Sequence, residues 1–181
     1  MRIIAGSCKG RVLQVPKGLP VRPTTDRAKE SLFNILQHRI DWETTRVLDL
    51  FAGTGNISLE AGSRGAQSVL AVDQHIGCVQ FIQKTAQSMR LSHVQSIQRE
   101  VSAFIASATG VWDLIFLDPP YAMPHQQSLI TSILQGGLLD SGGILILEHL
   151  SNTDYSGIGG FTEKRIYGQS AFSFFTLTET L

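Results

Sequence analysis

The stretch Asp49-Leu-Phe-Ala-Gly-Thr-Gly-Asn-Ile-Ser58 closes one apolar run and opens another of different period. Before it, RVLDLF (46–51) reads as a strand; after it, residues 56–64 read as a helix. A strand, a glycine-bearing loop and a helix in that order form the first half of a βαβ unit. Gly53 and Gly55 allow a tight turn and a close backbone approach by a ligand. The next strand, SVLAVD (68–73), ends in Asp73, placed to hold the hydroxyls of a ribose. A glycine pair alone is weak evidence. Here the flanking elements and the two acids supply the context.

The same rhythm continues along the chain. VQSIQ (94–98), WDLIFLD (112–118) and GGILILEH (142–149) are three further strands, with helices expected near 75–90, 101–108 and 125–135. Alternation of this kind builds right-handed crossovers and a mostly parallel sheet. Residues 161–178 break it, reading as two strands around the turn YGQS, so the last strand is expected antiparallel. Residues 2–15 read as a short β-hairpin around SCKG. Thr24-Thr25-Asp26 starts a helix, with Ala28, Leu32, Ile35, Leu36 and Ile40 on one apolar face. The expectation is an α/β fold: a Rossmann-like, doubly wound core over 41–181, preceded by a hairpin-and-helix extension over 1–40. Ligands of such sheets sit beyond the carboxyl ends of the strands, where Asp49, Asp73 and Asp118 lie.

A chain of 181 residues, 43% of them hydrophobic, is long enough for one well-cored domain. No apolar run approaches the roughly 18 residues that span a bilayer, and the N-terminus lacks an apolar signal segment. Cys8 and Cys78 have neither disulfide-framework nor zinc-site spacing, and none of the five histidines has metal-ligand spacing. A cytoplasmic monomer is the expectation. The net charge of zero hides a division: residues 1–40 carry eight basic and two acidic side chains, and the remainder carries seven and thirteen. Such asymmetry points to an anionic partner on the N-terminal side.

Two cofactor classes compete for the glycine loop. A dinucleotide loop usually has a third glycine, where this chain has Ser58, and an acid at Asp49 is unfavourable beside a pyrophosphate. S-adenosylmethionine (SAM) has no phosphate and carries an ammonium and a sulfonium, which an acid suits. The fourth strand then ends in Asp118-Pro-Pro-Tyr121. Two prolines remove two backbone donors and fix two φ angles near −65°. The result is a stiff turn that holds Asp118 and Tyr121 in a fixed relation. An exocyclic amine on a nucleobase is a poor nucleophile, because its lone pair is delocalised into the ring. The Asp118 carboxylate and the Pro119 carbonyl can accept its hydrogens, Pro120 keeps the turn rigid, and Tyr121 offers a stacking face worth about 1–3 kcal/mol.

The blocks MRIIAGSCKGR, RPTTDRAKESLFN, LDLFAGTG, LDPPY and YGQSAF together resemble the RsmD-like family of bacterial small-subunit ribosomal RNA guanine-N2 methyltransferases. The resemblance spans essentially the whole chain, and RPTTDRAKESLFN (22–34) is its most diagnostic block. It implies a class I SAM-dependent methyltransferase fold and methylation of the 2-amino group of one guanine in 16S rRNA, within the small subunit or an assembly intermediate. It also implies that Asp49, Phe51, Ala52, Gly53, Thr54 and Gly55 line the cofactor's methionine end. Asp73 would take the ribose, and Glu100 and Val101 would face the adenine. Arg2, Lys9, Arg11, Arg22 and Arg27 would grip RNA. Residues 24–27 could help close the pocket, although a plain helix start accounts for Thr24 and Asp26 equally well.

Three rivals remain open at this level. A DNA adenine-N6 methyltransferase can share the DPPY turn, although the chain leaves little room for a separate target-recognition domain. A nicotinamide-dependent oxidoreductase is disfavoured by Ser58 and Asp49. A non-catalytic RNA-binding ribosome assembly factor would keep the fold without the reaction.

Overall fold

A computed structural model describes residues 1–16, 18–19 and 25–177. Seven strands form one sheet: β1 (Arg46–Leu50), β2 (Ser68–Asp73), β3 (Val94–Gln98), β4 (Trp112–Leu117), β5 (Leu139–Leu150), β6 (Phe161–Tyr167) and β7 (Ser170–Phe175). Their order is β3-β2-β1-β4-β5-β7-β6. The first five are parallel, and β7 runs antiparallel to both of its neighbours. The helices are α1 (Asp26–Leu36), α2 (Asn56–Ser63), α3 (Ile76–Ser88), α4 (Val101–Ile105) and α5 (Gln126–Gln135), with a 3-10 turn at Trp42–Thr44.

Side chains alternate across each strand, so the near-continuous apolar runs feed two cores at once. Leu114, Phe116, Ile144 and Ile146 face one layer, shared with Leu32, Phe33 and Leu36 of α1, Leu59 of α2 and Ile82 of α3. Ile115, Leu117, Leu145 and Leu147 face the other, shared with Phe104 of α4 and Leu129, Ile130 and Ile133 of α5. The doubly wound α/β architecture expected from the strand–helix rhythm is therefore present. Ile3 and α1 belong to the first of these layers, so the described N-terminal residues are joined to the sheet by a common core.

Burial explains why the last strand does not lie at the edge. Every residue of β7 after Ser170 is buried, whereas β6 has no buried residue and carries Glu163, Lys164 and Arg165. The apolar strand slots in beside β5, and the charged one becomes the edge, a position where charges deter pairing with other chains.

The N-terminal hairpin is slighter than its sequence suggests. It reduces to one antiparallel bridge, Arg2 with Val12, flanked by Ile3 N–H to Arg11 O (2.9 Å) and Leu13 N–H to Met1 O (2.9 Å). The amides that would extend it are engaged by α2 instead. Ile4 and Ala5 donate to the two carboxylate oxygens of Glu60 (2.8 and 3.0 Å), and Ser7 donates to Ser63 O (2.7 Å). The α1 helix also stops at Leu36, short of the periodic Ile40.

Candidate active site

The strand order reverses between β1 and β4, which leaves a crevice at their carboxyl ends. A cavity of about 540 Å³ opens there. It brings together Asp49 and the loop residues Phe51, Ala52, Gly53 and Thr54, then Asp73 from β2, then Asp118, Pro119, Pro120 and Tyr121 from the end of β4. Four carboxylates line it, since Glu148 of β5 joins the three aspartates, and no lysine or arginine is among the described lining residues.

Asp49 is 2% exposed. Its Oδ2 accepts from the backbone N–H and the Oγ of Ser58, at 3.0 and 2.5 Å. Ser58, the residue in place of a third glycine, therefore serves as the partner of this acid. Burial pushes the Asp49 carboxyl up to about 7, against the Ser58 hydrogen bonds and with a small contribution from Asp73. Asp73 holds the loop itself: its Oδ2 accepts from Gly53 N–H (2.8 Å) and its Oδ1 from His75 N–H (2.8 Å). Each carboxylate oxygen has a second lone pair, so both can also receive ribose hydroxyls. The loop between them is tightly wound. Phe51 and Gly53 have φ of 61° and 54°, and the Gly55 N–H closes onto Ala52 O at 2.7 Å.

The DPPY turn is held at several points. Asp118 N–H continues the β1–β4 pairing onto Leu50 O (3.2 Å), Met123 N–H donates to Pro120 O (2.8 Å), and the Tyr121 hydroxyl meets Ser170 Oγ at 2.9 Å. Ser170, in the YGQS turn, also lines the cavity, as does Thr25, whose Oγ1 caps α1 at Ala28 N–H (3.2 Å). Neither Ser170 nor Asn56 is apparent as a site residue from the sequence. Their selection comes from strands and helices distant along the chain, although the placement of YGQS next to a phenylalanine-rich strand was a usable signal. His75, with no metal-ligand spacing, lines the cavity and caps α3 through Nδ1.

Three expected cofactor residues lie elsewhere. Gly55 does not line the cavity; a Cβ there would stand 2.7 Å from Ile82 Cγ1, so its role is close packing of the loop on α3. Glu100 and Val101 do not line it either. Both Glu100 oxygens cap α4, accepting from Ser102 N–H (2.9 Å) and Ala103 N–H (2.7 Å), which holds its carboxyl below the usual range. Val101 turns into the apolar layer with Phe104. An acid before a helix can serve as ligand or cap, and the contacts Glu100 makes in this structure are those of a cap.

The basic N-terminal segment also divides. Arg2, Lys9, Arg11 and Arg27 are exposed, with Arg11 donating to Ser88 O (3.0 Å), while Arg22 lies outside the described residues. Lys29 is fully buried. Its ammonium reaches three acceptors, Arg2 O (2.6 Å), Asn56 Oδ1 (2.8 Å) and Glu60 Oε2 (3.4 Å). Burial lowers its pKa while Glu60 pulls the other way. Three acceptors for three N–H protons satisfy the ammonium. This network ties the N-terminal segment to Asn56 on the cavity wall. Among the described residues no His/Cys/Asp/Glu group could hold a metal ion.

A family model described as conserved hypothetical protein 95 matches residues 1–176. The chain belongs to the RsmD-like family. Ribosomal RNA small subunit methyltransferase D of Escherichia coli strain K12 is 30% identical over 148 residues, 82% of this chain and 74% of that one. YlbH of Bacillus subtilis strain 168, named provisionally as an rRNA methyltransferase, is 36% identical over 176 residues, 93% of this chain and 94% of its own. Among solved structures, a hypothetical protein of Thermus thermophilus, TTHA0928, superposes with a TM-score of 0.85 at 29% identity, covering 98% of this chain and 99% of that one. The RsmD-like fold is that of the class I SAM-dependent methyltransferases.

Proposed function

We propose that this chain transfers a methyl group from SAM to the exocyclic 2-amino group of a guanine in small-subunit ribosomal RNA. One observation carries the reading. The DPPY turn and the acid pair Asp49 and Asp73 share one cavity at the point where the strand order reverses. A cavity lined, among the described residues, by four carboxylates and no lysine or arginine favours a cationic ligand and repels a pyrophosphate. That pattern fits SAM, which supplies an electrophilic methyl on sulfur. Asp49 faces the ammonium, Asp73 holds the ribose, and the Phe51–Thr54 backbone packs along the cofactor.

The acceptor base leaves its stack and enters beside Tyr121. Asp118 and the Pro119 carbonyl accept the two amino hydrogens and draw the nitrogen lone pair out of the ring. The nitrogen would attack the methyl carbon as the sulfur–carbon bond breaks, leaving S-adenosylhomocysteine, and the alkylated nitrogen would then lose one proton to water. Alignment of the reacting atoms accounts for most of the acceleration. Arg2, Lys9, Arg11, Arg22 and Arg27 provide the basic surface for the RNA backbone. The names of the E. coli and B. subtilis relatives support ribosomal RNA as the acceptor.

The test is methyl transfer from labelled SAM to unmodified small subunits, free rRNA and duplex DNA, followed by nucleoside analysis. N2-methylguanosine from a ribosomal substrate is the expected product. N6-methyladenine from DNA would overturn the acceptor while leaving the cavity reading in place. Cofactor binding with no transfer to any of the three would favour an assembly factor.

A further inference from the structure

A buried glutamine stands behind the DPPY turn. Gln126, the first residue of α5, is 9% exposed. Its Nε2 donates to Pro120 O at 3.0 Å and reaches Tyr121 O at 3.5 Å. Its Oε1 lies 2.5 Å from the hydroxyl of Tyr155, itself 5% exposed. Both carbonyls can only accept, so the amide NH₂ must face them and Oε1 must face Tyr155, whose hydroxyl donates. The orientation of the side chain is therefore fixed by its neighbours.

The chain of contacts continues inward. The Tyr155 ring meets His149 edge-on, with centroids 4.8 Å apart. His149 is 1% exposed, and its Nδ1 and Nε2 lie 2.8 Å from Leu150 O and Ser173 Oγ respectively. A carbonyl partner puts a proton on Nδ1, and burial lowers the His149 pKa, so Nε2 accepts from Ser173. The brace thus runs from the turn through α5 to β5 and β7. The residue before Gln126, His125, has φ of 61° and makes no capping bond with its side chain. That left-handed step turns α5 so that its first side chain points back at the turn.

Satisfaction of Pro120 O does not require Gln126, because Met123 N–H already donates to it at 2.8 Å. A second donor from another element adds direction. We infer that Gln126 is a positioning residue for methyl transfer: with Tyr155 it fixes the Pro120 carbonyl, and so keeps Asp118 and the Pro119 carbonyl aimed at the acceptor amine. This inference rests on the proposed reading of the DPPY turn.

The decisive variants are Gln126→Glu and Gln126→Ala, compared with Tyr155→Phe. An ionised glutamate side chain at this position has the same shape and cannot donate to Pro120 O, whereas a protonated one can. Single-turnover transfer by Gln126→Glu should fall about 10- to 100-fold at pH 8, the scale of a small misplacement at the reacting centre. It should recover as the pH is lowered, relative to the parent protein. The Kd for SAM should stay within about twofold in both Gln126 variants. Tyr155→Phe should show a smaller loss of rate, and its effect should largely vanish in the Gln126→Ala background. Full rates in both Gln126 variants, or a loss of SAM binding parallel to the loss of rate, would overturn the assignment. If the parent protein transfers no methyl, the functional reading fails instead. The brace is then judged by a crystal structure of Gln126→Ala, where an unmoved turn rejects it and a displaced turn supports it.

Discussion

At pH 8 the cofactor-free protein folds with the Asp49 carboxyl mostly ionised inside an almost closed wall. Its pKa of about 7 in the folded state compares with 3.8 for a free side chain. Below pH 3.8 both states hold the proton. Between 3.8 and about 7 the folded state keeps a proton that the unfolded state has released, so stability falls by about 1.4 kcal/mol per pH unit. Above about 7 the loss is complete and amounts to about 4 kcal/mol. Asp49→Asn removes this titration and leaves an amide oxygen to accept from Ser58. Between pH 5.5 and pH 8 the parent protein should therefore lose about 2 kcal/mol relative to the variant. Urea unfolding of both proteins at the two pH values, without cofactor, measures the difference, and groups that titrate alike in both cancel. Calorimetry at pH 8 supplies the second arm. If Asp49 faces the cofactor ammonium, the stabilised variant should bind SAM at least tenfold more weakly. Parallel pH profiles would refute the burial argument, and unchanged SAM affinity would refute the role.

Other outcomes follow from single groups. Asp118→Ala should abolish turnover, read as labelled methyl in RNA, while SAM affinity measured by titration stays nearly intact. Lys29→Met leaves Glu60 buried without its ammonium partner, although Arg64 Nε still donates at 2.9 Å; urea unfolding should show a loss of about 3 kcal/mol. Gly55→Ala puts a Cβ 2.7 Å from Ile82 Cγ1 at a φ of 70°, and should lower stability by about 1–3 kcal/mol in the same assay. If Arg2, Lys9, Arg11 and Arg27 each meet one phosphate of a single strand, log affinity against log salt should have a slope of about −3. A flat response would remove the basic segment from RNA binding.

The sheet was legible because its strands are short apolar runs bounded by acids and glycines, and that pattern depends on local chemistry alone. The cavity was legible for a related reason: a doubly wound sheet puts strand ends together, so Asp49, Asp73 and Asp118 meet whatever the helices do. Long-range pairing was much less visible. Lys29 reads as one more surface charge until α2 supplies Glu60 and Asn56. Glu100 reads as a ligand candidate, and the sequence gives no sign that its own helix engages both oxygens as a cap. Gln126 sits at the expected start of α5, yet nothing near it along the chain reveals Tyr155. The hairpin at residues 2–15 failed as a ladder because Glu60 and Ser63 compete for its amides. A backbone donor goes to whichever acceptor the tertiary fold brings, and strand propensity cannot rank that competition.

The position of β7 between β5 and β6 bears on synthesis as well as on stability. A ribosome releases the chain from its N-terminus, so β1 to β5 emerge while the seat beside β5 is still empty. The partner of the Tyr121 hydroxyl, Ser170, is the first residue of that missing strand. Until β7 has cleared the exit tunnel and docked, the DPPY turn lacks one of its anchors and the cavity lacks Ser170 from its lining. A chain cut before β7 would therefore carry the glycine loop and the DPPY turn without the contact that ties Tyr121 to the sheet.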